Sequence, residues 1–184
     1  MKVVILLGSR NPEGQTARAA DAVRKGIEAA KGQVETVFLP SLQIERCRQC
    51  DDSGWGLCRS EGHCVIPDDM AQLAAKVRAA DALVLATPVY YSDVSESLRA
   101  FLDRLRRTGT HPSGHKDLDG KRALGICVAG GGGGGAPTCC VSLERIMATS
   151  GFEVWDTIPV RRQNLESKLP ALKQAGYDLV QQAV

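Results

Sequence analysis

KVVILLGSRNPEGQT, residues 2–16, passes straight from a short apolar run into a loop of small, amide and hydroxyl residues. The apolar part has strand length, and the segment after the loop sets Ala19, Ala20, Val23 and Ile27 on one stripe of a helix. A helix N-terminus leaves backbone N–H groups unpaired and partially positive, so a loop of this composition entering one is built for an anion. Ser9, Asn11, Gly14, Gln15 and Thr16 therefore read as a phosphate cradle. The arrangement recurs where the apolar run 82–86 ends in TPVYYSDVS, residues 87–95. Fewer donors stand here, and Pro88, Val89, Tyr90 and Tyr91 suit the edge and face of a flat ring, with Ser95 at the start of the next helix. A phosphate at one end and a ring at the other describe a nucleotide.

Outward from these loops, strands are expected at 2–7, 34–39, 82–87, 123–129 and 152–160. Helices are expected at 16–30, from a cap at Asp68 to 79, and at 95–106, 138–150 and 165–183. The helix 95–106 turns Leu98, Phe101, Leu102 and Leu105 to one side. Strictly alternating strands and helices predict an α/β doubly wound, five-stranded parallel sheet of order 2-1-3-4-5, forming one domain over residues 1–184. Ligands of such sheets bind at the carboxyl ends of the strands where the winding reverses, so the loops after strands 1, 3 and 4 should be the unusual ones. They are GSRNPEGQT, TPVYYSDVS and AGGGGGGAPT. Gly130, Gly131 and Gly132 open a run of glycines whose bare main chain can approach a flat ring and donate to its carbonyls; a plain linker is the alternative. The first loop lacks Gly-x-Gly-x-x-Gly, strand 2 ends in Phe38-Leu39-Pro40 instead of a ribose-binding acid, and no Gly-Lys-Ser/Thr follows. A mononucleotide with a large flat base fits best.

The net charge of +2 over 184 residues is small and its lysines and arginines are scattered, which argues against nucleic-acid and membrane partners. The apolar run at residues 3–7 is too short for a signal core, nothing approaches the ~18 apolar residues of a membrane span, and a cytoplasmic location is expected. Seven cysteines in such a chain point away from disulfides and toward metal or redox chemistry. Four of them, Cys47, Cys50, Cys58 and Cys64, fall within eighteen residues of the stretch 44–67 after strand 2. Thiolates at that density suit a tetrahedral centre, either an iron–sulfur cluster or zinc, and thiols without metal remain a third reading.

With GSRNPEGQT, TPVYYSDVS and the glycine run in this order, and with CVIPDDM (64–70) and SLRAFLDRL (97–105) between them, the chain resembles the flavodoxin-like NAD(P)H-dependent FMN reductases, in particular their iron–sulfur flavoprotein branch. The resemblance implies FMN with its phosphate on Ser9, Asn11, Gln15 and Thr16 and its ring along Pro88, Val89, Tyr90 and Tyr91, closed at the other edge by the glycine loop. It implies NADH or NADPH as electron donor, a small molecule or redox protein as acceptor, and a homodimer or homotetramer, often with the ring covered by a neighbouring subunit. It also implies a [4Fe–4S] cluster on the four cysteines in preference to zinc. The family's motif has two residues between its second and third cysteines, whereas seven, Asp51 to Leu57, stand here. An FMN-only electron carrier is the competing reading; such carriers are commonly acidic, which this chain is not. A zinc-stabilised module without flavin would make all three loops coincidental.

The remaining reactive residues have plainer expected roles. Asp68 and Asp69 are read as helix caps, Cys127 as core, and His63, His111 and His115 as solvated loop residues. Cys139 and Cys140 at the fourth helix's start are either small buried filler or a thiol activated by the helix N-terminus. Arg161 and Arg162 are either a solvated pair or a steering pair for a donor's phosphates.

Overall fold

The architecture is taken from a computed structural model, which describes residues 1–182. Five parallel strands, β1 (Lys2–Leu7), β2 (Gln33–Phe38), β3 (Ala82–Pro88), β4 (Arg122–Ala129) and β5 (Glu153–Arg161), lie in the order β2-β1-β3-β4-β5. The helices are α1 (Gln15–Ala29), α2 (Leu57–Ser60), α3 (Met70–Ala79), α4 (Glu96–Thr108), α5 (Pro112–His115), α6 (Ala136–Thr149) and α7 (Leu165–Gln181). The predicted order and winding reversal are both present, and β1 and β3 pair in register from Val3 with Ala82 to Leu7 with Ala86.

Burial explains the order. Strands β1, β3 and β4 are apolar at nearly every position and are buried on both faces, as central parallel strands must be. The mixed sequences of β2 and β5 leave nearly every residue half or fully exposed and take the two edges. Alternation along β1 divides the core: Val4 and Leu6 face the layer of α3, α4 and α6, while Val3, Ile5 and Leu7 face α1 and α7. The expected stripes hold, with Ala19, Val23 and Ile27 of α1 and Leu98, Phe101, Leu102 and Leu105 of α4 all fully buried.

Several boundaries differ from expectation. Leu39 leaves β2 for a 3-10 turn, Leu39–Ser41, because Pro40 cannot donate to a ladder. Helix α3 begins at Met70 with Asp69 at its N-cap and no capping side chain, although the Asp68 carboxylate accepts from the Met70 N–H at 3.2 Å. Pro137 lets α6 start at Ala136, ahead of residue 138. The short helices α2 and α5 fall in segments read as loop. The expected end of the last helix at 183 lies outside the described residues.

Candidate functional site

The first loop leaves its donors uncommitted. Gly14 caps α1 without a side-chain hydrogen bond, and the first helical bond runs from Arg18 N–H to Gly14 C=O at 2.9 Å. The N–H groups of Gln15, Thr16 and Ala17 precede that bond and are available to an outside acceptor. The loop is shaped by its own polar atoms: Asn11 N–H donates to Ser9 Oγ at 3.2 Å, and Glu13 N–H to Asn11 Oδ1 at 3.0 Å. It is also tied to the second loop. Gly8 N–H donates to Ala86 C=O at 2.9 Å, and a Cβ on Gly8 would stand 2.5 Å from Ser95 Oγ. A side chain at position 8 would have to displace Ser95 Oγ.

The second loop is a tight hairpin. Tyr90 and Asp93 exchange two backbone hydrogen bonds of 2.9 Å, with Tyr91 (φ 50°) and Ser92 (φ 63°) in the left-handed region between them. Bulky residues rarely hold that conformation, at a cost of about 1–3 kcal/mol each, and here the surroundings enforce it. The Asp93 carboxylate accepts from Ser142 Oγ at 2.7 Å and from the Val94 N–H at 2.8 Å. Val89 N–H reaches across to Val128 C=O at 3.0 Å, which fixes this loop to the end of β4. In the third loop Gly133 (φ 77°) and Gly135 (φ 81°) need their missing side chains twice over, since a Cβ on Gly133 would also meet Gln163 Oε1 at 2.7 Å. Gln163 Nε2 in turn donates to Gly131 C=O at 3.0 Å.

These loops enclose a cleft of about 520 Å³ at the carboxyl ends of the strands, within the usual range for small-ligand sites. Of the residues singled out from the sequence, Ser9, Asn11, Gly14, Gln15, Thr16, Pro88, Val89, Tyr90, Gly130 and Gly131 line it. Three do not. Ser95 is 1% exposed and turned into the contact with Gly8, Tyr91 is fully exposed at the hairpin tip, and Gly132 faces outward. Val128, Ala129 and Gly134 complete the wall, a consequence of β4 ending there that its uniform apolar run does not announce. Arg162 lines the cleft and Arg161 does not. Among the described residues the wall carries no carboxylate, imidazole or thiol; its side-chain hydroxyls are those of Ser9, Thr16 and Tyr90. A larger groove of about 850 Å³ runs along α1 and α7, but its charges answer one another, as in the Arg18–Glu166 pair, and no strand end reaches it.

The second constellation lies over the far half of α4. All four clustered cysteines line one small cavity together with Trp55, Ile66, Arg104 and Arg107. The seven-residue spacer brings Cys58 back by folding on itself. The Asp51 carboxylate accepts from Ser53 and Trp55 N–H groups, Arg107 donates to Gly54 C=O, and the Arg107 guanidinium lies 4.2 Å from the centre of the Trp55 ring. Arg104 is 1% exposed. Its guanidinium pairs with Asp68 at 2.6 and 3.0 Å, donates to Glu45 C=O at 3.1 Å, and donates to Cys64 Sγ at 3.2 Å. Burial works against charge on Asp68, but Arg104 and the Glu45 and Met70 N–H groups outweigh it and hold the carboxyl below the ordinary range. Asp68 and Asp69 thus serve mainly as anchors for the cysteine segment, the latter accepting from Gln43 N–H at 2.7 Å.

No three His, Cys, Asp or Glu side chains among the described residues are arranged around a single ion. The donor set fits an anionic group better than a lone zinc ion: four thiols round one cavity, three guanidiniums in its wall, of which Arg48 is paired with Glu45, and Nε–H groups on both Arg104 and Arg107 that are buried without an acceptor. An arginine beside Phe101 and Leu105 on an apolar helix face was the available sequence signal for this role.

The other cysteines are core. Cys127 and Cys139 are fully buried and Cys140 nearly so; contacts with Cys139 and Cys140, then burial, push the Cys127 thiol up, so it stays protonated. His63 pairs loosely with Glu61, and His111 caps α5 by accepting from Ser113 N–H.

The model of the NADPH-dependent FMN reductase family matches residues 1–155. An iron–sulfur flavoprotein of Archaeoglobus fulgidus is 37% identical over 128 residues, which are 70% of this chain and 54% of that protein. The chain spans about half the length of the curated relatives it matches. Among solved structures, an NAD(P)H:quinone oxidoreductase from Methanothermobacter marburgensis superposes with a TM-score of 0.71 at 22% identity, covering 97% of this chain and 96% of that one. A flavodoxin from the domain Archaea gives 0.65 at 15% identity over 99% and 98% of the two chains. At these identities the likeness is one of fold, and the fold is flavodoxin-like.

Proposed function

This chain belongs to the NADPH-dependent FMN reductase family, and we propose that it is an FMN-dependent oxidoreductase that takes electrons from NADH or NADPH and passes them to a small molecule or redox protein. The observation that carries this reading is the three-loop cleft, in which a free helix N-terminus, a ring-sized wall and an open glycine backbone face one space. Bound there, FMN supplies the hydride and single-electron chemistry. The residues supply position. The N–H groups of Gln15, Thr16 and Ala17, with the Ser9 and Thr16 hydroxyls, hold the phosphate. Pro88, Val89 and Tyr90 would line the ring, and the strained Tyr90–Asp93 hairpin keeps that wall from yielding. Positions 130, 131 and 134, where an added Cβ would meet nothing within 4 Å, let the main chain approach the ring's opposite edge.

Cys47, Cys50, Cys58 and Cys64 would hold a [4Fe–4S] cluster, which supplies one-electron exchange when bound. The names of the relatives and the shared cavity support this assignment. Helix α4 starts beside the cleft at Ser95 and reaches the cysteine cavity at Arg104, a separation of roughly 14 Å along its axis from the helical rise. Assembly as a homodimer or homotetramer belongs to the same reading, with the fully exposed Tyr91 at the cleft mouth as its support.

Stopped-flow mixing of the FMN-loaded protein with NADH or NADPH tests the activity. The flavin absorbance should bleach with at least one of them. If neither reduces it while a reduced carrier protein does, an electron-carrier role replaces the enzyme.

A further inference from the structure

We propose that Arg104 and Arg107 form a cationic cradle for the four-cysteine centre, Arg104 positioning Cys64 and both arginines donating to its sulfurs, so that together they raise its reduction potential. The inference rests on the reading of the four cysteines as a cluster site and goes beyond it by assigning residues outside the cysteine motif. Three observations carry it. Arg104 is almost wholly buried yet charged, and its fork is held by Asp68 so that Nη2 meets Cys64 Sγ at 3.2 Å. Arg107 stacks on Trp55 of the spacer and makes no ion pair among the described residues, the Asp51 carboxylate acting on it only at longer range, so its charge in the cavity wall is less fully cancelled than that of Arg104. Both keep a buried Nε–H without an acceptor, a costly state that an acceptor in the cavity would relieve.

The direction of the effect follows from charge. A thiolate-ligated cluster is an anion that gains one negative charge on reduction, so a fixed cation or N–H donor beside it stabilises the reduced form more than the oxidised form. The long spacer acquires a purpose in this light. Trp55 has Arg107 on its ring at 4.2 Å and Arg59 at 5.2 Å, which holds the Arg107 guanidinium against the cavity instead of in solvent. Arginine is suited to both positions, because its planar fork reaches a carboxylate and a sulfur together and its charge is permanent.

The test uses full-length protein carrying FMN, reconstituted anaerobically with iron and sulfide. Arg107→Gln, Arg107→Lys, Arg104→Gln and Arg104→Lys are compared with the parent by iron and sulfide content, FMN content and an EPR-monitored redox titration. The parent should hold about four irons per chain. Arg107→Gln should keep its iron and FMN and show a lower midpoint potential, and Arg107→Lys, which retains the charge, should recover most of the difference. Arg104→Gln and Arg104→Lys should both lose iron, because a lysine cannot span Asp68 and Cys64 at once, while FMN remains bound and reports an intact fold. Unchanged potentials in the Arg107 variants, with iron retained in the Arg104 variants, would overturn the cradle and leave the cluster standing. A parent that takes up no iron would overturn both.

Discussion

Thr16 is 4% exposed and lines the cleft, so its hydroxyl is withdrawn from water beside whatever fills that space, while the Ser9 hydroxyl, in the same wall, donates to Asn11 C=O at 3.2 Å and shapes the loop. Thr16→Ala removes one donor to a phosphate dianion, a bond worth roughly 1.5–3 kcal/mol. FMN affinity should fall by about one to two orders of magnitude in a fluorescence titration, and an unchanged affinity would move the phosphate elsewhere. At the cysteine segment the critical residue is Asp68, whose side chain is only 6% exposed. Asp68→Asn leaves the Arg104 charge without its counterion, and loss of one partner of a buried pair costs about 3–5 kcal/mol. Chemical denaturation should show that loss. Because the Asp68 carboxyl is held below its usual range, its contribution is complete above the unfolded value of about 3.9 and disappears as pH falls through the folded value. Tryptophan fluorescence should therefore report a loosening around Trp55 below about pH 4 that the Asn variant lacks.

Helices α1 and α7 meet backbone to backbone. A Cβ on Gly26 would lie 1.9 Å from Lys173 C=O, and one on Gly176 would lie 2.2 Å from Val23 C=O. Gly176→Ala should therefore push the helices apart and destabilise the protein by about 1–3 kcal/mol, read as a lower melting temperature; a shift within error would show that the helices slide freely. In this the elements carry information that single residues do not. The central strands were legible because β1, β3 and β4 are apolar almost throughout, and the edge strands because short runs of strand length at 34–39 and 152–160 stand between helical patterns. The three loops were legible because a strand that ends in GSRNPEGQT or in six glycines departs so far from ordinary turn chemistry. The burial of Ser95 was not legible, because a hydroxyl at a helix start looks the same in sequence whether it faces a ligand or the Cα of Gly8. The cysteine cavity was legible in its thiols and hidden in its arginines. Arg104 reaches across from another element, and spacing within 47–64 says nothing of what α4 places beneath it.

At the scale of the whole molecule, the winding reversal between β1 and β3 gathers the cleft, and α4 joins that cleft to the cysteine cavity. Among the described residues no helix is long and apolar enough to cross a membrane. The two proposed cofactor sites can be separated by spectra: serine replacement of Cys58 should remove iron and leave FMN, because the three loops lie elsewhere in the chain. Retention of the full iron content would place the centre on other ligands. The central claim is that the cleft holds FMN by its phosphate, and parallel titrations of the apoprotein with FMN and with riboflavin test it most directly. One FMN per chain should bind, and riboflavin, which lacks the phosphate, should bind at least tenfold more weakly, since a charged hydrogen bond alone is worth about 1.5–3 kcal/mol. Equal affinities for the two would contradict the assignment of the loop at residues 9–16.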